Sequence, residues 1–287
     1  MPQGVRFCDV DGMAVDPASA DARTPDLGDF ADFANFTASM GLELWHEDDR
    51  THGRVEVRRE FMAPGTDRVR VGVLATLVDT VAGTLPTGPI NPTVDLRIRL
   101  LDEPPSSGAI HFVSHPVKAG RRLFLGEVFL YAGDASRLFA TSMITFINQT
   151  IQGFAGGGAG GGHTPPIARP LGAASYDDAL APRYPNATTV EIDPQPHVSN
   201  PIFGTFLGGA QVLLAEIAAE HALSGSGAYR TVDLDMHFVN RSGGETVRAT
   251  ANPVSGPFDE HSVRVAIRRG TDDARLVSLA SVRCRPA

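Results

Sequence analysis

Two acidic residues are conspicuous for the company they keep. Asp79 lies in VGVLATLVDTVAG, which starts at Val71, and Glu216 lies in GGAQVLLAEIAAE, which starts at Gly208. In the first segment Val73, Leu74, Leu77, Val78, Val81 and Ala82 cover most of a helix circumference; Val212, Leu213, Leu214, Ile217, Ala218 and Ala219 do the same in the second. A carboxylate in such surroundings is costly unless partnered, and perturbed carboxylates gather at functional sites. Chemically it can act as a general base or as a nucleophile. Each acid follows a glycine by seven residues, Gly72 or Gly209, and each segment leads to a strand-like run opening on Thr93 or Thr231. Asn200 stands upstream of the Gly208–Gly209 pair. Each feature has an ordinary reading too: threonine is a good strand former, Asn200–Pro201 makes a turn, and glycines permit tight packing.

These residues recur because the chain repeats itself. TVDLRIRLL from Thr93 matches TVDLDMHFV from Thr231 at an offset of 138, and Gly72/Gly209 and Asp79/Glu216 match at 137. HPVKAG from His115 faces NPVSGP from Asn252 at 137, and DASRLFATS from Asp134 faces DDARLVSLA from Asp272 at 138. One nearly constant offset through a helix and three strand segments indicates duplication of a whole folding unit.

The elements that must position the acids follow from the periodicity. Val71–Thr84 and its partner predict largely buried helices. Val94, Leu96, Ile98 and Leu100 alternate with Thr93, Asp95, Arg97 and Arg99, a half-buried strand repeated by Val232, Leu234, Met236 and Phe238. Two further strand runs close each copy: His111 to Tyr131, broken near Gly120, and Leu138 to Phe146; then Thr246 to Ile267 and Leu276 to Cys284. TPDLGDFADFANFTASMG predicts a short amphipathic helix ending at Gly41. GFAGGGAGGGHTPP, from Gly153, reads as a flexible linker; no strand enters it and no Gly-Lys-Ser/Thr closes it as a phosphate loop. The resulting division is an extension over 1–27, domains over 28–150 and 175–287, and a linker over 151–174.

Composition narrows the function classes. At 287 residues, 42% hydrophobic and 20% charged, the chain has material for two globular cores. A formal net charge of −8 argues against nucleic-acid or anionic-membrane partners. Cys8 and Cys284 are the only cysteines, too few for a disulfide framework or a metal cluster, and no signal sequence or apolar run of spanning length is evident. A cytoplasmic protein without membrane, metal or cofactor is the expectation. His111 and His115 would stand about 13 Å apart on one strand face, too far to share a metal, and Gly-x-Ser-x-Gly is absent.

A buried helix with a glycine pair at its start and an acid seven residues on, followed by antiparallel strands, resembles the hotdog fold, and more closely the phenylacetyl-CoA and hydroxybenzoyl-CoA thioesterases. The resemblance covers about residues 28–148 and 175–287. It implies an α+β fold of two tandem hotdog domains, each an antiparallel sheet wrapped around a helix, paired within one chain. It also implies an acyl-CoA substrate, sites shared across the domain interface, and a homo-oligomer of such double chains. Carried over by position, one composite site joins Asn200 and Gly208 to Asp79 and Thr93. The reciprocal site sets Glu216 and Thr231 against Val71 and Gly72, lacks the asparagine, and is expected to be degenerate. The family histidine position holds Leu207 in one copy and Arg70 in the other. Backbone N–H groups at the helix start would hold the developing oxyanion, the Asn200 amide would add a donor, Asp79 would act on water and Thr93 would hold that water. Arg121 and Arg122, after Lys118, lie where this family often sets a basic residue near the CoA phosphates; Pro257, Phe258, Asp259 and Glu260 occupy that place in the second copy. The competing non-enzyme reading is a degenerate tandem hotdog that binds acyl-CoA or a fatty acid without turnover. The hydratases of the same fold carry an Asp/His motif that is missing here.

Overall fold

Among the described residues, twelve strands form one antiparallel sheet, and the order of its strands records the duplication. The structure is a computed structural model describing residues 36–84, 92–147, 172–200, 204–255, 260–270 and 275–287. The first copy supplies β1 (Glu43–Glu47), β2 (Arg50–Glu56), helix α1 (Val71–Gly83), β3 (Thr93–Leu100), β4 (Ala109–Ala119), β5 (Leu123–Ala132) and β6 (Arg137–Ile147). The second supplies a short helix α2 (Tyr176–Leu180), β7 (Arg183–Asn186), β8 (Thr189–Ile192), helix α3 (Gly208–Leu223), β11 (Tyr229–Phe238), β12 (Val247–Ser255), β13 (His261–Arg269) and β14 (Arg275–Pro286). A small hairpin of β9 (Ser199–Asn200) and β10 (Thr205–Phe206) precedes α3. The sheet runs β1-β2-β4-β5-β6-β3-β11-β14-β13-β12-β8-β7, so the two copies read outward from the centre in the same order.

The central pairing fixes the symmetry. β3 and β11 are antiparallel, with Arg97 opposite Asp235, Leu96 opposite Met236 and Ile98 opposite Leu234. At the repeat offset of 138, Arg97 and Asp235 are each other's equivalents. Exchanging the copies therefore leaves the register unchanged, and an approximate two-fold axis passes between Arg97 and Asp235. Phe33–Ala287 is one compact unit around this seam.

The helices and the strands after them match the sequence expectations to within a few residues. The hairpins β1–β2 and β7–β8 were not expected, because β1, β7 and β8 are only four or five residues long and the buried row of β2 is Thr51, Gly53 and Val55, which carries little apolar signal. Of the expected amphipathic helix, the described part is a 3₁₀ turn at Ala38–Met40, ended by Gly41 at φ 70°; its earlier residues, the extension, and 151–171 of the linker lie outside the described residues. One expectation is corrected. Strict alternation would turn Thr93 outward with Asp95 and Arg97, but the register of β3 against β6 shifts between Thr93 and Asp95. The bulge re-aims Thr93 inward. β11 has the same shift against β14 between Thr231 and Asp233.

Helices α1 and α3 pack against each other inside the sheet, with Leu74, Leu77, Val78, Leu213, Leu214 and Ala215 fully buried. Their crossing depends on two glycines. A Cβ on Gly72 would come within 2.5 Å of Leu213 Cα, and one on Gly209 within 2.1 Å of Thr76 Oγ1. The two contacts are images of each other, since Gly72 matches Gly209 and Thr76 matches Leu213 at the offset of 137. At Gly208 the same construction meets only Phe238 Cζ at 3.4 Å and Asp79 Oδ2 at 3.6 Å, ordinary contacts.

Gly72→Ala and Gly209→Ala should each force the helices apart and cost about 2–3 kcal/mol or more. Gly208→Ala should cost under about 1 kcal/mol. Urea denaturation midpoints of the three variants test this ordering; a Gly72→Ala variant as stable as the parent would contradict the close crossing.

Candidate active site

The helix crossing brings the acid of each helix to the N-terminus of the other. The contact runs antiparallel: Gly72 meets Leu213, and four residues on in α1, Thr76 meets Gly209, four residues back in α3. Continuing along α1, Asp79 arrives beside Gly208. Thr93, turned inward by its bulge, donates its hydroxyl to Asp79 Oδ1 at 2.5 Å. Phe238, from the end of β11, closes another side against Gly208. Leu207 at the N-cap has no side chain able to cap the helix. Among the described residues the N–H groups of Gly208 and Gly209 have no hydrogen-bond acceptor. An uncapped helix N-terminus is electropositive and rich in free donors. Here it is paired with a carboxylate that stands back from it.

The approach to α3 is held firmly. The Phe206 N–H donates to Ser242 Oγ at 2.7 Å, and its carbonyl accepts from Gln211 Nε2 at 3.2 Å. Gln211 in turn accepts from Ser278 Oγ at 2.6 Å. Asn200 is on β9, opposite Thr205 in the hairpin leading into α3. The Gly204 N–H donates to the Asn200 carbonyl at 2.9 Å, and Gly204 adopts φ 58° to close the turn.

The reciprocal place is built otherwise. Glu216 is buried, and its carboxylate accepts the Val71 N–H at 3.1 Å and the Gly72 N–H at 2.6 Å, so it caps α1 itself. Thr231 does not reach Glu216. Its N–H and hydroxyl both donate to Glu220 Oε1, at 2.9 and 3.1 Å. Glu220 occupies the place of Gly83 in the first copy, at the offset of 137. Arg70 ties the acids together: it forms a bidentate pair with Asp177 on α2, an ion pair with Glu220, and stands 3.7 Å from Glu216 Oε1. The donors that are free at α3 are consumed at α1.

No protein-family model matches the chain, and no curated protein matches it. Solved structures do. A tesB protein from Mycobacterium avium subsp. paratuberculosis superposes with TM-score 0.59 at 14% identity, covering 91% of this chain and 99% of that one. The 12:0-ACP thioesterase from Umbellularia californica gives 0.60 at 9% identity over 83% and 94%. A conserved protein with the hot dog fold from Alicyclobacillus acidocaldarius gives 0.57 at 11% identity over 87% and 97%. The fold is a double hotdog. The likeness extends over nearly the full length of each of these chains, which requires both copies, and it accounts for the paired wrapped helices and the seam between β3 and β11.

Electrostatics separates the two places within this double hotdog. Burial pushes the Asp79 pKa up to about 6, and the Thr93 hydrogen bond only partly opposes it. Glu216 is also pushed upward by burial, against the pull of Arg70, with Glu220 adding to the rise and the Gly72 N–H opposing it. Asp177 is raised by burial and lowered by Arg70. Burial works against the Arg70 charge too, but Glu220, Glu216 and Asp177 outweigh it and raise its pKa. One guanidinium thus serves three carboxyl groups.

Sequence reasoning missed several of these residues. Glu220 was detectable, as a second acid four residues after Glu216 on the same buried helix face. Asp177, on a five-residue helix beyond the linker, left no periodic signal, and Phe238 was read only as a core position. Arg121 and Arg122 are exposed at the β4–β5 turn. Ala119, Phe124, Phe146 and Thr93 lie in register across β4, β5, β6 and β3, so that turn lies at the same end of the sheet as Thr93, two to three strand spacings of about 4.8 Å away. In the other copy Pro257, Phe258 and Asp259 lie outside the described residues, as does Cys8. Cys284 is buried against Thr231, its thiol pushed up to about 12 by burial. Among the described residues no group of side chains is arranged to hold a metal, and no helix is long and apolar enough to cross a membrane.

The raised Asp79 pKa has a stability consequence with a definite sign. The folded chain holds this proton more tightly than the unfolded chain, so ionising Asp79 costs stability as pH rises from about 4 through about 6. Above pH 7 the cost is on the order of 3 kcal/mol. Asp79→Asn should therefore be more stable than the parent at pH 8, with the difference vanishing near pH 4. Urea midpoints across that range would show it; a destabilised variant at pH 8 would mean that Asp79 is held as a favourable carboxylate.

Proposed function

We propose that the chain hydrolyses acyl-CoA thioesters at the place formed by Asp79, Thr93, Gly208 and Asn200. The observation that carries this reading is the pairing of a partly desolvated carboxylate with a free helix N-terminus across the interface of a double hotdog. Thioester hydrolysis needs both, a base for water and donors for the oxyanion. Water held between Asp79 and Thr93 attacks the carbonyl carbon, and Asp79 takes its proton. The carbonyl oxygen becomes negative beside the Gly208 N–H, with the Asn200 amide as a second donor. Collapse of this intermediate breaks the carbon–sulfur bond, and the proton on Asp79 passes to the departing thiolate, giving free acid and CoA. A base with a pKa near 6 is mostly ionised at neutral pH, yet still basic enough to accept a proton. That one relative of the same fold is a 12:0-ACP thioesterase supports thioester chemistry; the exposed Arg121–Arg122 turn supports CoA as the carrier here.

In this reading the reciprocal place is a structural cluster, because Glu216 fills the donors that a carbonyl oxygen would need. Asp79→Asn should abolish thiol release from acyl-CoA with the fold retained, and turnover of the parent should rise with pH through about 6. Glu216→Gln keeps a side-chain oxygen to accept the Val71 and Gly72 N–H groups and should keep most of its turnover. Equal losses of turnover in both variants would show two working sites. A parent that binds acyl-CoA and releases no thiol across short, long and aromatic acyl groups would leave a binding protein in place of the enzyme.

The carrier contact has its own measurement. Exposed arginine–phosphate contacts are salt-sensitive and act on binding more than on chemistry. Replacing Arg121 and Arg122 together by alanine should raise KM for acyl-CoA several-fold, leave kcat nearly unchanged, and leave a short thioester without the nucleotide unaffected. Identical kinetics of parent and variant on both substrates would place the CoA phosphates elsewhere.

A further inference from the structure

The segment that enters α3 is held by side chains from behind. Both main-chain groups of Phe206 are taken: its N–H donates to Ser242 Oγ at 2.7 Å, and its carbonyl accepts from Gln211 Nε2 at 3.2 Å. Ser278 Oγ donates to Gln211 Oε1 at 2.6 Å. A carbonyl can only accept, so the Gln211 amide must turn its nitrogen to Phe206 and its oxygen to Ser278. All three are core residues, Gln211 5% exposed, Ser242 1% and Ser278 0%. The first copy fills the same places without them. At the repeat offsets of 137 and 138, Leu74 stands for Gln211, Val69 for Phe206, Ala140 for Ser278 and Pro104 for Ser242. The fold agrees: Ser278 lies opposite Phe238 as Ala140 lies opposite Leu100, and Val69 and Pro104 line one small cavity. Packing of the helix on its sheet therefore does not require the network, and buried polar groups add little net stability even when fully bonded.

We propose that Gln211, Ser278 and Ser242 are positioning residues, which hold the backbone entering α3 so that its first N–H groups can meet a ligand uncapped. This rests on the hydrolysis reading above. The two helix starts are supported in opposite ways. At α1 the Glu216 carboxylate binds the Val71 and Gly72 N–H groups from the front, and Arg70 is tied to Asp177 and Glu220. That arrangement holds the chain and consumes the donors. At α3 the N-cap is Leu207, whose side chain accepts nothing, and a cap would occupy the donors that an oxyanion needs. Bonds to Phe206, two residues before Gly208, fix the same stretch of backbone from the other side. They steady Asn200 as well, since Thr205 and Phe206 form β10, paired with Asn200 and Ser199 of β9. Oxyanion donors act through preorganisation, so a looser entrance should slow the chemical step more than it weakens substrate binding.

The first copy supplies the substitutions. Gln211→Leu with Ser278→Ala introduces the side chains that the equivalent places already carry. This double variant should keep the parent's circular dichroism and lower kcat for acyl-CoA at least tenfold. KM should stay within twofold, and the pH dependence of kcat should not move, because Asp79 and Thr93 are untouched. Ser242→Ala should lower kcat at least threefold. Ser142→Ala removes another buried hydroxyl, bonded to the Arg97 carbonyl, and should keep kcat within twofold. Amide hydrogen exchange of the ligand-free chain gives a readout independent of turnover: the Phe206 and Leu207 amides should exchange at least tenfold faster in the double variant, and those of α1 at the parent's rate. A double variant with the parent's kcat overturns the proposal, and so does one whose KM rises as much as its kcat falls. A parent that releases no thiol defeats the hydrolysis reading instead. Exchange then decides the network's role, with faster exchange confined to the α3 entrance supporting it and unchanged exchange overturning it. Should the double variant fail to fold, Ser242→Ala alone must lower kcat at least threefold at constant KM, and an unchanged kcat counts against the proposal.

Discussion

Everything in this molecule that can do chemistry depends on how closely α1 and α3 cross. Two missing Cβ atoms, at Gly72 and Gly209, let one helix backbone sit against Leu213 and the other helix against Thr76. Because that contact is antiparallel, a residue two turns along either helix is carried to the first turn of its partner. The seven-residue spacing from glycine to acid is therefore a geometric statement: the glycine sets the crossing, and the acid lands on the opposite N-terminus. Larger side chains at the crossing would separate the helices and remove both acids from the donors they face.

Given that geometry, one methylene group separates the two outcomes. Glu216 is long enough to reach the Val71 and Gly72 N–H groups and cap the helix. Asp79, a carbon shorter and held by Thr93, stops short of the Gly208 N–H and leaves a gap between base and donors. A capped N-terminus stabilises its helix and offers nothing to a ligand. An uncapped one keeps its N–H donors free, here beside a desolvated carboxylate. The Arg70, Asp177 and Glu220 cluster completes the closed arrangement, with a guanidinium where the other copy has Leu207. Its polar groups hold the helices and α2 together.

Much of this was legible in the sequence, for reasons that differ residue by residue. The helices and β3 to β6 were visible because burial on one side imposes a period on apolar residues, and the repeat offset confirmed each twice. The hairpins β1–β2 and β7–β8 were not, because β1, β7 and β8 are only four or five residues long and the buried row of β2 is Thr51, Gly53 and Val55, too weakly apolar to show one. Asp79, Gly208 and Thr93 were recognised as a set through a resemblance, yet alternation alone would have sent Thr93 outward; a bulge is a backbone irregularity with no reliable residue signature. Glu220 was within reach as a second acid four residues after Glu216, whereas Asp177 could be found only by knowing which elements meet, which is tertiary information. Asn200 was named with Asp79, Gly208 and Thr93 through the same resemblance, and its backbone lies in the β9–β10 hairpin that leads into α3.

Duplication explains why one chain can hold such unequal halves. In a dimer of identical subunits any substitution appears on both sides of the axis, so a change that closes one site closes the other. Fusing the copies removes that constraint while the seam between β3 and β11 keeps the axis, with Arg97 still opposite Asp235. Each surface can then take one task at a time. At the start of α3 the facing carboxylate stays short and the N-terminus open; at the start of α1 the longer acid caps the helix, with an arginine beside it. The interior, which both copies need in order to fold, has stayed alike, and divergence is confined to positions where the two-fold axis no longer ties one copy to the other.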